Sequence, residues 1–338
     1  MHSTHRTPAE RFFHRLLGPR SWQLYAGAVV RPAGLRFDEK DRIGQAEFAM
    51  ALGLVLLDDL CDRVPFARAY VQEASAHNQK VVFDHGAMRT VRLELAGIPS
   101  GRHAVARLLK PLGYLQSNVY PLPRLGMTGF VYTHKELPEE LPQYFVSELY
   151  PELFSADFQA SAQDLLATTI DPLPSWARLQ LAAVEADGSL AADDAVQLIH
   201  AIAACFARYH RDVTVTEYET FRAESPEMAW ISTEGHAFNH ITDRVSDVAA
   251  VAEAQRELGR PVKEAVEVSA SGRVIQTALR ATEVERLMLD GERFISRHVP
   301  GSFLEFISRE RLPGGSLDLA FDAQNAQGIF KMTDGAAA

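Results

Sequence analysis

Cysteine is scarce in this chain, with two residues, Cys61 and Cys205, among 338. That count excludes a disulfide framework, and neither thiol has a second cysteine or a histidine at zinc-motif spacing. Both lie in apolar, helical-looking stretches and are expected to be buried free thiols in a reducing cytoplasm. Long hydrophobic runs are also missing. The longest, Ala49 to Leu57, stops at Asp58 and Asp59, far short of the roughly 20 residues that span a bilayer. The segment MHSTHRTPAERFFHRLLGPR lacks the continuous apolar core of a secretion signal, so a cytoplasmic location is expected. Positive charge is in deficit. Lys and Arg number 34 against 44 Asp and Glu, and the net charge of -10 argues against nucleic acid or an anionic membrane as partner.

What is present suffices for a sizeable core, since 47% of the residues are hydrophobic, and the length suits one large or two intimate domains. From Asp41 to Leu60 the sequence reads as a helix, closed by Pro65. The pattern then changes. In VVFDHGAMRTVRLEL a strand places Val81, Phe83, His85, Ala87, Arg89, Val91 and Leu93 on one face. Further strands are expected in GMTGFVYTH and QYFVSEL, divided by the turn-forming LPEELP. Residues 161 to 221 read as helices, the clearest being DDAVQLIHAIAACFARYH with its broad apolar face. A second β-rich region runs from GHAFNHITDRV through VKEAVEVSA and GRVIQTALRA to the closing strand SFLEFISRE.

The two β-rich regions look like a duplication. One opens on FDHGAMR and closes on YFVSEL, the other opens on FNHITDR and closes on FLEFISR. His85 and Glu148 stand 63 residues apart in the first, His240 and Glu305 stand 65 apart in the second.

Two imidazoles and one carboxylate on one face are enough for a redox-active metal that must also bind substrate and oxygen, because three positions stay open. His85, His240 and Glu305 meet that requirement. In SFLEFISRE the carboxylate of Glu305 projects among Phe303 and Ile307, which is costly unless it is paired or metal-bound. An ion pair from Glu305 to Arg309 or Arg293 is the plainer alternative. Glu148, the apparent counterpart of Glu305, is an alternative ligand that would make a four-ligand, glyoxalase-like isomerase or lyase working with Zn or Ni. Gln276 in GRVIQTAL is a candidate polar substrate contact or a group that satisfies neighbouring backbone. His236 shares strand parity with His240 and is the reserve ligand, whereas His2, His5, His14, His134, His200 and His210 read as packing or surface residues.

The segments DHGAMRT, FNHIT and FLEFISR together resemble the 2-oxoadipate dioxygenase/decarboxylase (D-2-hydroxyglutarate synthase) family of the vicinal oxygen chelate, glyoxalase-like group. FLEFISR is also similar to the iron-binding strand of 4-hydroxyphenylpyruvate dioxygenase. The resemblance implies Fe(II) held by His85, His240 and Glu305, and a substrate carboxylate bound by Arg89; His85 and Gln276 are further candidate substrate contacts apart from that resemblance. It implies a 2-oxo dicarboxylic acid and O2 as the small-molecule partners, converted to a 2-hydroxy acid and CO2. A non-catalytic small-molecule binding module on the same scaffold remains the reading from a different class. The expected fold class is α+β, with paired βαβββ-like modules forming a curved mixed sheet around the metal. The expected boundaries are a helical N-terminal segment over 1–79, a first β module over 80–155, a helical insert over 156–234, a second β module over 235–312 and a tail over 313–338. This tail is shorter than that of longer family members, which bears on how the pocket is closed.

Overall fold

In the computed structural model, residues 7–35, 41–95, 97–322 and 331–333 are described. The chain opens on helices α1 (Pro8–Ala28), α2 (Gln45–Arg63) and α3 (Pro65–Ala76), with a short strand β1 (Arg42–Gly44) ahead of α2. Thr7 and Glu10 form a capping box that starts α1, and Gly18, at φ +75, kinks it before Pro19. The helix expected from Asp41 thus begins later, because Arg42–Gly44 pairs antiparallel with β6 (Ser189–Ala191). Next come β2 (Phe83–Val91), α4 (His103–Leu109), β3 (Tyr114–Leu122), β4 (Met127–His134) and β5 (Gln143–Leu149). The segment between the β-rich regions holds α5 (Ala156–Leu166), α6 (Ser175–Asp187), α7 (Ala192–Ala204), α8 (Val215–Glu224) and α9 (Pro226–Glu234). Helix α7 stops well before His210, where the apolar periodicity had suggested that it would end. The second β-rich region contains β7 (His240–Arg244), α10 (Val248–Glu257), β8 (Glu267–Val268), β9 (Val274–Ala278), β10 (Glu283–Asp290), β11 (Arg293–Pro300) and β12 (Phe303–Arg309).

Eight strands form one curled, half-barrel sheet in the order β3-β4-β5-β2-β7-β12-β9-β8. Its centre is an antiparallel pair, β2 against β7, flanked by the parallel neighbours β5 and β12. Each half is a βαβββ unit, and the register relates the halves by a pseudo-twofold axis. Ala87 faces His240 just as Thr242 faces His85. The fold is therefore α+β with paired modules, as expected from the sequence. One insertion breaks the symmetry. Between β9 and β12, strands β10 and β11 make a separate antiparallel hairpin that packs on α8 and was not anticipated. Its signal is Asp290-Gly291, with Gly291 at φ +60 in the turn.

Helices α1, α2, α3 and α7 cover one face of the sheet. Their core includes Phe48, Leu52 and Ile199 together with Met88, Val146, Ile241 and Phe306 from the strands. These strand residues alternate with Ala87, Phe145, His240 and Glu305, which face the opposite, concave side. All nine residues of β2 are buried, so this strand reads as a continuous run rather than an alternation.

Candidate metal centre

The register places the three candidate ligands at the middle of the sheet. His85 lies on β2, His240 on β7 and Glu305 on β12, three adjacent strands, with their ligating atoms all within 4.8 Å of one another. The Glu305 Oε2 oxygen is 3.2 Å from His85 Nε2 and 3.3 Å from His240 Nε2. Donors held about 2.1 Å from one ion at right angles stand roughly 3 Å apart, which the two separations from Glu305 approach. All three residues are buried.

The protonation of the site follows from its neighbours. Burial pushes His240 down to about 3, against the carboxylate of Glu305, so this imidazole is neutral and ready to donate a lone pair. Burial also raises Glu305, but His240, His85 and the Thr242 hydroxyl outweigh it and hold the carboxyl below its ordinary value. The Thr242 hydroxyl donates to Glu305 Oε2 at 2.5 Å and lies 3.0 Å from His85 Nε2. Burial lowers His85, whereas the bonds to Asp84 and Glu305 raise it, and the net direction is up.

Strand parity alone misplaces one residue. The register shifts between Phe83 and His85, so Asp84 is the extra residue of a β-bulge in β2. Phe83 joins the helix-covered core instead of sharing the face of His85, as simple alternation had it. Asp84 is turned toward its neighbour, and its Oδ1 sits 2.8 Å from His85 Nδ1. Arg309 then grips the Asp84 carboxylate through Nε and Nη2. This is the partner of Arg309, so the ion pair with Glu305 considered from sequence does not form. Despite burial, Arg309 and His85 hold the Asp84 carboxyl well below the usual carboxylate range. Sequence reasoning missed Asp84, although it directly precedes the histidine in FDHGAMR.

Glu148 is not at the site. It pairs in register with Thr90, on the face of β5 opposite Phe145 and Ser147, and it accepts the backbone N–H of Arg102 at 2.8 Å. Its carboxylate caps the start of α4, and Gly101, at φ +52, leaves the room this needs. The twofold relation explains the error. His85 lies opposite Gln143, and His240 lies opposite Phe303, so two residues further on Phe145 corresponds to Glu305. Glu148 corresponds to Ser308, and the similar sequence spacing was a coincidence of loop lengths. A fourth carboxylate ligand is thereby excluded at this position. Phe145 fills it instead, its ring over Gly129, where any Cβ would collide.

Arg89 shares the inner face of β2 with His85 and is fully buried. Its guanidinium lies 4.9 Å over the Trp230 ring, and Nη2 donates to Thr333 Oγ1 at 2.7 Å. Burial lowers Arg89 to about 10, with Glu227 acting in the other direction, so it remains a cation at neutral pH. Gln276 borders the pocket beside His240 and Glu305, and its Nε2 donates to Glu267 at 3.2 Å. His236 turns away and lines a separate apolar cavity with His210. Phe321 lines the same pocket, with its ring 4.8 Å from the His85 ring and 5.1 Å from that of Phe145. Both cysteines are free and buried, and no helix among the described residues is long and apolar enough to cross a membrane.

The sequence profile of the 2-oxoadipate dioxygenase/decarboxylase family matches residues 58–318, most of the chain. The chain belongs to this family. A glyoxalase superfamily protein of Ralstonia eutropha JMP134 shares 44% identity with it at a TM-score of 0.90, over 93% of this chain and 98% of that one. The hydroxyglutarate synthase of Oryza sativa, solved with 2-oxoadipate, has 18% identity and a TM-score of 0.67 over 90% and 98% of the two chains. The corresponding enzyme of Pseudomonas putida, also with 2-oxoadipate, has 19% identity and a TM-score of 0.65 over 87% and 74%. At these identities the two synthases establish the fold. Among proteins of curated function none matches.

Proposed function

We propose that this family member is an Fe(II)-dependent dioxygenase/decarboxylase acting on a 2-oxo dicarboxylic acid of about the size of 2-oxoadipate. The observation that supports it best is the buried His85–His240–Glu305 set with Phe145 in place of a fourth ligand. His85, His240 and Glu305 would hold the ion while leaving room around it for small-molecule ligands. When bound, Fe(II) supplies the chelation of the 2-oxo acid and the electrons that activate O2.

The protein's own residues orient and protect. The Arg89 guanidinium, on the same face of β2 two pleats beyond His85, would hold the distal carboxylate of the substrate. A guanidinium on that face would pair with the second carboxylate of a dicarboxylic acid, an interaction that a monocarboxylic acid does not offer. Phe145 and Phe321 keep bulk water from the reacting carbon. The Thr242 hydroxyl and the Asp84 carboxylate fix the orientation of Glu305 and His85. The overall conversion balances: 2-oxoadipate and O2 give 2-hydroxyglutarate and CO2, with both atoms of dioxygen retained in the hydroxy acid.

An oxygen electrode tests the proposal. Protein loaded anaerobically with Fe(II) is expected to consume oxygen only after a 2-oxo dicarboxylic acid is added, and His240→Ala to consume none. Unchanged uptake in that variant rejects the assignment.

A further inference from the structure

The segment after β12 returns across the concave face. Several side chains hold it there, among them Glu139, Arg273 and Tyr120, and one of them, Arg309, also serves the candidate metal centre. Arg309, whose side chain is wholly inaccessible, uses Nε and Nη2 on the Asp84 carboxylate and Nη1 on the backbone oxygens of Asp318 and Ala320, at 3.1 and 2.7 Å. The next residue, Phe321, lies under the same guanidinium, with the Arg309 Cζ 4.9 Å from the ring centroid. Phe321 meets the His85 ring edge to face, and its backbone N–H donates to the Tyr120 hydroxyl at 2.9 Å. Asp84 in turn accepts from His85 Nδ1. A continuous chain of contacts therefore runs from the tail through Arg309 and Asp84 to one of the three donors.

We propose that Arg309 and Asp84 are positioning residues that couple closure of the site by residues 318–321 to the orientation of the His85 imidazole. The physical reason lies in the geometry of the guanidinium. Its planar donors are divided between a carboxylate and two carbonyls, so withdrawing either set leaves the cation under-satisfied in a dry site. Asp84 selects the His85 tautomer that carries its proton on Nδ1 and presents the Nε2 lone pair to a metal. Opening the tail to admit or release a small molecule breaks the carbonyl bonds and the ring contact, and the disturbance reaches His85 through Asp84. This coupling rests on the proposed role of His85 as a metal ligand. Its test therefore uses readouts that need neither oxygen nor substrate.

The decisive variant is Asp84→Asn, because among the contacts described here Asp84 meets the tail only through Arg309. Chymotrypsin is added to the full-length protein, and cleavage at Leu317, Leu319 and Phe321 is mapped by mass spectrometry, which separates tail opening from global unfolding. Co(II) is titrated in parallel by its visible absorption. Asp84→Asn is expected to speed tail cleavage several-fold and to weaken Co(II) binding by about tenfold or more. Arg309→Lys, which keeps the charge and loses the fork, is expected to do both as well. Wild-type tail cleavage in both variants, or wild-type Co(II) affinity in both, overturns the coupling. If the unmodified protein takes up no Co(II), the metal assignment fails, and accelerated tail cleavage in Asp84→Asn still establishes the Asp84–Arg309–tail link.

Discussion

Phe145 occupies on β5 the place that Glu305 occupies on β12, each two residues beyond the partner of a histidine on the neighbouring central strand. The pseudo-twofold relation gives the molecule two equivalent positions, and one of them carries a phenyl ring. On the proposed function this difference would limit the protein ligands to three and leave positions open for small molecules.

Restoring symmetry is therefore informative. Phe145→Glu is expected to tighten Zn(II) binding, by supplying a fourth donor, and to abolish oxygen uptake with Fe(II). Isothermal titration and the oxygen electrode check the two halves. Oxygen uptake at the wild-type rate contradicts the view that Phe145 keeps a position open.

Arg89 should decide substrate charge. Arg89→Met removes the buried cation while preserving bulk. It is expected to reduce kcat/KM for 2-oxoadipate by roughly 100-fold, about 3 kcal/mol. The value for 2-oxohexanoate, which lacks the distal carboxylate, is expected to change little or to rise. An equal loss on both acids would assign Arg89 to structure alone.

Metal binding should stabilise the fold, since the three donors that would hold an ion come from adjacent strands at the centre of the sheet. Co(II) at 100 times its dissociation constant is expected to add about 2.7 kcal/mol to the free energy of unfolding. The increment should vanish in Glu305→Gln and be reversed by a chelator. Urea unfolding followed by fluorescence measures it, and an increment retained in Glu305→Gln would place the bound ion elsewhere.

Asp243 gives a pH-dependent signature. On the helix-covered side of β7, it accepts from the Tyr70 hydroxyl and the Val82 N–H, and burial pushes its carboxyl up to about 6. The folded state thus holds this proton more tightly than the unfolded chain, so its contribution is most favourable at low pH and is lost as pH rises through about 6. Asp243→Asn is expected to gain stability relative to wild type between pH 4 and pH 7, by at most about 3 kcal/mol. Unfolding curves at several pH values test this, and a difference independent of pH rejects it.

Much of this was legible in the chain itself. Alternation in VVFDHGAMR and SFLEFISRE located two of the site strands, and the repeated histidine-bearing openings announced the paired modules. His85, His240 and Glu305 stood out because a carboxylate or an imidazole in an apolar strand calls for a partner. Sequence periodicity fixed the inward side chains to within one register step. The bulge at Asp84 exceeds that precision, since inserting one residue moves Phe83 to the other face without changing the composition.

The amino-acid order determined which residues can ligate, which segments form strands and that the architecture is doubled, because those properties are local or periodic. Pairing across the sheet decided the rest. Whether Glu148 or Phe145 corresponds to Glu305 depends on register between strands more than fifty residues apart in sequence, and no local pattern encodes it. The same holds for Arg309. Its contacts with Asp84, 225 positions away, and with the returning tail exist only once the curled sheet brings β2, β12 and the final segment together around one site.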